Sequence, residues 1–168
     1  FLGTMAHFII LLLEVMLSMM LVCAILSAFC SNTSTTLMMV PFVLGVLEKA
    51  ETEVLAEGRP EDVPKVRAYG RGLLIGVAWA ASIGGSATLI GTTGPAILAA
   101  FYSENYPLAP VPINFGTWSA YAVGISATLF VFAYAGMAIH YCKGALKQMD
   151  RTNMTNELKS LGPLNRDE

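Results

Sequence analysis

The chain has 168 residues, of which 55% are hydrophobic and only 13% are charged, and its formal net charge at pH 7 is −2. Soluble domains typically carry about 25% charged residues. Together with a mean hydropathy of +0.60, this composition excludes an ordinary soluble domain and indicates an integral membrane protein. The sequence begins at Phe1 with neither an initiator Met nor a basic leader region, so we expect no signal peptide and a fragment of a longer protein.

The first segment combines a long apolar helix with a short apolar arm. Residues 5–28 are nearly all apolar and are long enough to cross about 30 Å of hydrocarbon. Six small polar residues, 31–36, separate them from the apolar arm 37–47, which reaches only about 16 Å. We therefore predict a re-entrant helical hairpin over residues 1–47, entering and leaving on the cytoplasmic side, with residues 31–36 at its tip and Pro41 as a structural residue.

A polar segment follows, over residues 48–71. Its first part, 48–57, is predicted to be the charged end of a helix, and the Gly-Arg-Pro sequence at 58–60 ends that helix. Residues 61–71 are predicted to form a short amphipathic piece at the membrane surface. We predict a cytoplasmic linker over the whole segment.

The second hydrophobic segment, residues 72–101, is interrupted near its centre. Residues 82–95 are rich in Gly, Ser and Thr and end in a proline. Because each glycine inside a helix costs about 1 kcal/mol relative to alanine, we predict a broken transmembrane helix with an unwound centre. Gly84, Gly85 and Pro95 are predicted to have structural roles at this break.

The remaining segments define the predicted topology. Residues 102–117 contain three prolines and no basic residue, 118–142 are apolar, and 143–168 are polar. All ten Lys and Arg lie in residues 48–71 and 143–168, so the positive-inside rule places both of these segments in the cytoplasm. We predict a multi-pass protein with an extracytoplasmic loop at 102–117, a transmembrane helix at 118–142 and a cytoplasmic tail at 143–168.

Several other classes of function lack their motifs. The three cysteines form no CxxC pair, and His7 and His140 lie at segment ends without ligand-like partners. Neither the phosphate-binding GxxxxGK[ST] nor GxGxxG occurs, and the basic segments are mixed with acids, so we predict no nucleotide or nucleic-acid binding. An intramembrane hydrolase using Ser27 or Ser31 would lack a base. We predict that the chain is not an enzyme.

The two polar interruptions carry the atoms that a transport site requires. Hydroxyl, amide and backbone carbonyl oxygens are hard ligands suited to Na⁺, without any fixed charge. Helix N-termini, amide NH₂ groups and hydroxyls donate hydrogen bonds to a carboxylate. Each interruption alone is equally well explained by close helix packing, since Ser and Thr bond back to their own helix and small residues pack tightly. Two such interruptions in one chain favour a transport site.

Four stretches of the chain resemble one family. Residues 27–41, SAFCSNTSTTLMMVP, resemble the Ser-Asn-Thr signature of the divalent-anion:sodium symporters, the sodium-coupled di- and tricarboxylate and sulfate carriers. Residues 80–92, AASIGGSATLIGT, resemble the second signature of that family. NFGTW at 114–118 and LGPL at 161–164 are similar to its outer loop and its next cytoplasmic start. The resemblance covers most of the first inverted repeat of the family.

The resemblance implies a fold, a coupling ion and a set of site residues. The fold is a scaffold of two inverted repeats with elevator-like alternating access, usually as a homodimer, with Na⁺ as the coupling ion and no organic cofactor. Four residues would bind Na⁺, the last through a nearby carbonyl: Ser27, Ser31, Asn32 and Gly91. Three would meet a substrate carboxylate: Asn32, Thr33 and Thr92.

We therefore expect a fragment of a secondary active sodium-coupled symporter of dicarboxylates, tricarboxylates or sulfate, embedded in a lipid bilayer. It would supply one half of the Na⁺ and anion site. The other half would come from the missing second repeat or from another copy, so we expect no transport by these 168 residues alone. The alternative is a truncated, non-transporting membrane protein that associates with full-length relatives.

Overall fold

The structure is a computed structural model that describes residues 2–108 and 110–142. The described residues form helices joined by turns and loops, with no strand among them, which confirms the prediction of an all-helical protein. The helices are α1 (Leu2–Ser27), α2 (Asn32–Ala56), α3 (Val63–Gly85), α4 (Thr93–Asn105) and α5 (Phe115–Met137), with a 3-10 turn at Pro60–Asp62 and a π-helical turn at Ala138–Cys142. The predicted tail at 143–168 lies outside the described residues.

α1 and α2 are joined by a short turn, residues 28–31. Ser31 is the N-cap of α2, and its hydroxyl oxygen accepts a hydrogen bond from the Ser34 backbone N–H at 3.3 Å. Serine is a preferred N-cap because its side chain satisfies one of the free N–H groups at a helix start. Residues 32–36 are therefore the first turns of α2, and the non-helical tip is shorter than the polar run. The re-entrant path of this hairpin stays a prediction.

α2 continues as one helix of 25 residues through Pro41. The proline has no N–H to donate to the carbonyl of Leu37, which removes one hydrogen bond from the helix interior. Beyond the apolar arm, Leu, Glu, Lys and Ala are good helix formers and extend the helix to Ala56. The short arm, residues 37–47, is thus the middle part of a helix about 37 Å long.

The connection from α2 to α3 is a Schellman turn. Gly58 has a φ of +71°, the left-handed conformation that glycine adopts without steric cost. The N–H groups of Gly58 and Arg59 donate to the carbonyls of Leu55 and Val54, both at 3.1 Å. After the 3-10 turn, α3 begins at Val63, so residues 63–71 are its first turns and not the separate short piece that the sequence predicts.

α3 is the central helix and packs against α1, α2 and α5. Its buried side chains are mostly small, which lets the neighbouring backbones approach closely. The core consists of apolar side chains from three helices: Met16, Met20 and Cys23 of α1, Met39 and Val43 of α2, and Leu73, Val77, Ala80 and Ala81 of α3. In addition, the hydroxyls of Tyr69 in α3 and Tyr134 in α5 donate to the α1 carbonyls of Leu12 and Leu13, at 2.6 and 3.2 Å.

Residues 86–92 separate α3 from α4 and are not helical. The interruption is shorter than the predicted range of 82–95, since α3 continues through Gly84 and Gly85. At the other end, Pro95 lies in the first turn of α4, where its missing N–H would have had no partner within the helix.

α5 begins with a capping box and is strongly apolar. The Asn114 side chain accepts from the Thr117 backbone N–H at 3.0 Å, and the Thr117 hydroxyl accepts from the Asn114 N–H at 2.9 Å. The segment Phe115–Tyr141, of 27 residues, is long and apolar enough to cross a membrane by length and composition, with a mean hydropathy of 1.9 over its most apolar 18 residues.

Candidate functional site

Four helix ends meet near the α1–α2 turn. α1 ends at Ser27 and α3 ends at Gly85, while α2 begins at Asn32 and α4 begins just after Thr92. The last carbonyls of a helix carry partial negative charge, and the first N–H groups carry partial positive charge. The region therefore combines two helix ends suited to a cation with two suited to an anion.

Ser27 and Asn32 are joined directly across the turn. The Ser27 side chain is completely buried, and its hydroxyl donates a hydrogen bond to Asn32 Oδ1 at 2.7 Å. This bond orients the amide of Asn32, with its oxygen toward Ser27 and its NH₂ group directed away. The two residues belong to the predicted Na⁺ set, and the structure brings them together.

Gly85 brings Asn32 and Thr92 to the same point. A Cβ atom built on Gly85 would overlap Asn32 Oδ1 and would lie 2.8 Å from Thr92 Cγ2. Any larger residue at this position would displace the Asn32 and Thr92 side chains. Gly85, which the sequence indicates as structural, therefore allows a predicted Na⁺ ligand and a predicted substrate ligand to share one surface.

Gly91 completes this cluster from the 86–92 loop. A Cβ atom built on Gly91 would lie 2.6 Å from the Ser27 carbonyl oxygen and 2.8 Å from Gly85 Cα, and would overlap the Gly85 carbonyl oxygen. The backbones of Ser27, Gly85 and Gly91 are therefore in direct contact. With Asn32 they collect hydroxyl, amide and carbonyl oxygens, all neutral, which is the donor chemistry that suits Na⁺.

Gly84 has a separate role at the crossing of α1 and α3. A Cβ atom built on Gly84 would overlap the backbone carbonyl of Ala24, and it would lie 2.6 Å from Ala24 Cα. Only glycine allows the two helix backbones to approach this closely. The close crossing holds the end of α1, and with it Ser27, against α3.

Of the other predicted site residues, Thr92 reaches this cluster at Gly85, whereas no hydrogen bond among the described residues joins Ser31 or Thr33 to it. The Ser31 side chain is exposed, and its hydroxyl donates to Ser34 Oγ at 2.8 Å within the cap of α2. Thr33 is exposed in the first turn of α2, and Thr92 is half-buried as the N-cap of α4 without a side-chain capping bond. Both threonines therefore stand at helix N-terminal ends.

Two buried threonines were missed by the sequence reasoning. Thr88, in the middle of the 86–92 loop, is 5% exposed and bonds to the α1–α2 turn. Thr35, one turn into α2, is 1% exposed, and its hydroxyl has no hydrogen-bond partner among the described residues. Both lie within the polar interruptions, but only Thr88 carries a local signal, as a Thr followed closely by Gly in a loop.

Acidic and metal-type clusters do not contribute to this region. Across the described residues, no group of three or more His, Cys, Asp or Glu side chains is arranged to hold a metal ion. The ion pairs among the described residues lie around the α2–α3 connection and are formed by Glu51, Glu57, Arg59, Asp62, Lys65 and Arg67. The chemistry of the candidate site therefore depends on neutral oxygens and helix ends.

Comparisons with known proteins agree on one family. The family model for citrate transporters, CitMHS, matches residues 5–163. The Na⁺/citrate cotransporter of Rattus norvegicus is 28% identical over 164 residues, which cover 80% of this chain and 29% of that protein. The sodium-dependent low-affinity dicarboxylate transporter 1 of Caenorhabditis elegans is 25% identical, with the same coverage of 80% and 29%.

A bacterial relative extends the agreement. The sodium-dependent dicarboxylate transporter SdcS of Staphylococcus saprophyticus is 27% identical over 128 residues, covering 76% of this chain and 23% of that protein. The chain thus spans less than a third of the length of these relatives. All of them are named as transporters, which confirms the resemblance to a family of membrane transport proteins and not of enzymes. Because the family model matches almost the whole length of this chain, the chain belongs to the citrate transporter family.

Proposed function

We propose that this chain supplies one half of the Na⁺ and anion site of a sodium-coupled symporter for di- or tricarboxylates, or for sulfate. The observation that supports this most directly is the position of Asn32. Its amide oxygen accepts from Ser27 and lies against Gly85, at the meeting point of four helix ends. The sodium-dependent citrate and dicarboxylate relatives support the ion and the substrate class.

The proposed Na⁺ ligands are oxygens around the C-terminal end of α1, from α1 itself, the start of α2 and the 86–92 loop. Ser27 offers both its hydroxyl and its carbonyl, Asn32 offers Oδ1, and the backbone near Gly91 offers a further carbonyl. Ser31 would contribute through the turn that it caps. A single positive charge is stabilised at helix C-terminal ends by the partial negative charge of the free carbonyls.

The proposed anion ligands are the donors at the starts of α2 and α4. The Asn32 NH₂ group, the Thr33 hydroxyl and the Thr92 hydroxyl are each able to donate to a carboxylate oxygen. Asn32 would then contact the cation through its oxygen and the anion through its nitrogen. One side chain shared between both ligands couples the binding of one to the binding of the other.

The proposed arrangement in the membrane follows the predicted topology. The α1–α2 hairpin would be re-entrant, α3 and α4 would be the halves of a broken transmembrane helix, and α5 would be a full span. The basic linker and tail would be cytoplasmic. The second half of the site would come from a second repeat or another copy of the chain, within a homodimer of the complete protein.

The first experiment is a Na⁺ titration of the purified chain in detergent, followed by its thermal unfolding temperature, with K⁺ as the reference ion. We expect Na⁺ to raise the Tm, and we expect Asn32→Ala to raise the half-saturating Na⁺ concentration by at least about tenfold, as is typical for the loss of a group that orients or binds a metal ion. Asn105→Ala is the matched control, since Asn105 is exposed and bonds to its own helix. Equal responses to Na⁺ and K⁺ would refute the proposal.

A second experiment separates the half-site from the alternative of a non-transporting partner. Uptake of labelled citrate or succinate into proteoliposomes, with sulfate as competitor, is expected to be absent for this chain alone. Na⁺-dependent uptake would instead mean that two copies complete the site. Absence of both uptake and Na⁺ binding would favour the truncated, non-transporting protein.

A further inference from the structure

Thr88 lies at the centre of the 86–92 loop and joins three parts of the candidate site. Its hydroxyl donates to the carbonyl of Ala28, in the α1–α2 turn. The same oxygen accepts from the backbone N–H of Ile90 at 3.3 Å and of Gly91 at 3.2 Å. A threonine hydroxyl has one proton to donate and two lone pairs to accept with, so Thr88 uses its full hydrogen-bonding capacity.

These bonds control the peptide that carries Gly91. The Gly91 backbone contacts both the Ser27 carbonyl and Gly85. A small rotation of the Gly91 peptide would therefore bring it too close to one of these two neighbours or move it away from the other. The N–H bonds to Thr88 fix the rotation, and the bond to Ala28 fixes the loop to the residue that follows Ser27. Thr88 is buried and has no atom among the proposed ligands, so it acts through Gly91.

We propose that Thr88 is a positioning residue for the Na⁺ site, and that its hydroxyl sets the orientation of the Gly91 peptide relative to Ser27. This inference rests on the proposed function, in which the backbone near Gly91 supplies a carbonyl to the ion. Groups that orient the ligands of a metal ion, without touching it, control its affinity because they determine where the ligand atoms point.

The prediction separates the hydroxyl of Thr88 from its size. Thr88→Val keeps the shape but removes the donor and both acceptor positions, whereas Thr88→Ser keeps the hydroxyl. In the Na⁺ titration, Thr88→Val is expected to raise the half-saturating concentration by about tenfold, in the range typical for loss of a group that orients metal ligands. Thr88→Ser is expected to restore the affinity to within about twofold of the unmodified chain, since the bonds of the hydroxyl are retained.

The matched control is Thr128→Val, in α5. Thr128 is exposed, and its hydroxyl bonds only back to the carbonyl of Gly124 in its own helix, at 2.9 Å. The control variant is expected to bind Na⁺ like the unmodified chain. A folded Thr88→Val variant with unchanged Na⁺ affinity would overturn the proposal. A lack of Na⁺ response in the unmodified chain would instead count against the proposed function.

Hydrogen–deuterium exchange tests the positioning itself, with or without Na⁺. In the unmodified chain and in Thr88→Ser, the amides of Ile90 and Gly91 are expected to exchange slowly, because the Thr88 hydroxyl holds them. Thr88→Val is expected to speed this exchange by at least about tenfold, by freeing both amides. Where the valine variant fails to fold, fast exchange of these two amides in the unmodified chain would be sufficient to overturn the proposal.

Discussion

Two residues at the end of α3 show how much a missing side chain contributes at this site. Gly84 lets the α1 backbone approach at Ala24, and Gly85 lets Asn32 and Thr92 meet. In an exposed helix, glycine is a disadvantage because the unfolded chain has more freedom to lose. At Gly84 and Gly85, glycine is nevertheless required, because a Cβ atom would overlap the Ala24 backbone or the Asn32 amide.

The substitution Gly84→Ala tests this reading of the helix crossing. It is expected to destabilise the protein by about 1–3 kcal/mol, since overpacking forces backbone shifts in a closely packed region. Gly124→Ala in α5 is the matched control, because an added Cβ atom meets nothing within 4 Å there. The control is expected to be neutral or more stable by up to about 1 kcal/mol, from helix propensity. Thermal unfolding in detergent measures both, and equal effects would contradict the assigned crossing.

At the scale of elements, an ion pair outside the candidate site joins α2 to α3. Arg67 Nε donates to Glu51 Oε1 at 2.9 Å, and a second guanidinium nitrogen donates to Oε2 at 3.2 Å. This two-bond geometry is the strong form of a carboxylate–guanidinium pair, although solvent exposure limits its contribution. The pair spans the Schellman turn and joins α2 to α3 at the proposed cytoplasmic end.

The pair predicts a pH dependence. The hydrogen bond from Arg67 holds the pKa of Glu51 below its usual value, with the positive charge of Arg67 acting in the same direction. The stabilising effect of the pair is therefore present above the pKa of an unfolded glutamate, about 4.3, and is lost as the pH falls through the lowered folded value.

The variant Glu51→Gln tests this predicted pH dependence of stability. Its Tm is expected to lie slightly below that of the unmodified chain at pH 7, and the difference is expected to vanish as the pH falls through the lowered folded pKa of Glu51, where the carboxylate becomes protonated. Glu53→Gln, at an exposed position two residues away, is the control and should show no such convergence. A Tm difference that is independent of pH would contradict the assigned pair.

At the scale of the whole molecule, the described helices leave much apolar surface uncovered. Most of the α5 surface faces away from the other helices, and it carries large exposed side chains such as Tyr121, Ile125, Val131 and Phe132. Surface of this kind is stable in a lipid bilayer or against further protein. Membership of a transporter family supports a lipid bilayer as the surroundings of this surface. The distribution of Lys and Arg supports the proposed orientation of the chain in that bilayer.

Cysteine labelling in cells tests that orientation. In a background with the native cysteines replaced by alanine, Glu57→Cys is expected to react only with reagent that enters the cytoplasm. Glu104→Cys is expected to react with impermeant reagent from outside. Both positions are exposed, and Ser126→Cys, at a buried position, is the unreactive control. Reaction of both exposed cysteines from one side would contradict the topology.

The sequence by itself determined the helical membrane class, the family and the two polar interruptions, because hydrophobicity, charge and short motifs are local properties. It also indicated Ser27, Asn32 and Gly91 through the resemblance of two signatures, and Gly85 through the glycine-rich composition of the second interruption. It did not predict that Ser31 would be used as a helix cap or that the second interruption would begin only at Ser86, since helix ends depend on how neighbouring helices pack.

Only the tertiary structure decided which oxygens meet. The bond from Thr88 to Ala28 joins residues 60 positions apart, and the contact of Gly85 with Asn32 joins two different helices. The distance between two such segments cannot be predicted from the periodicity or the motifs of either segment. That distance follows from the crossing of α1 and α3 at Gly84, where the absence of one Cβ atom lets the two backbones touch and brings four helix ends to one place.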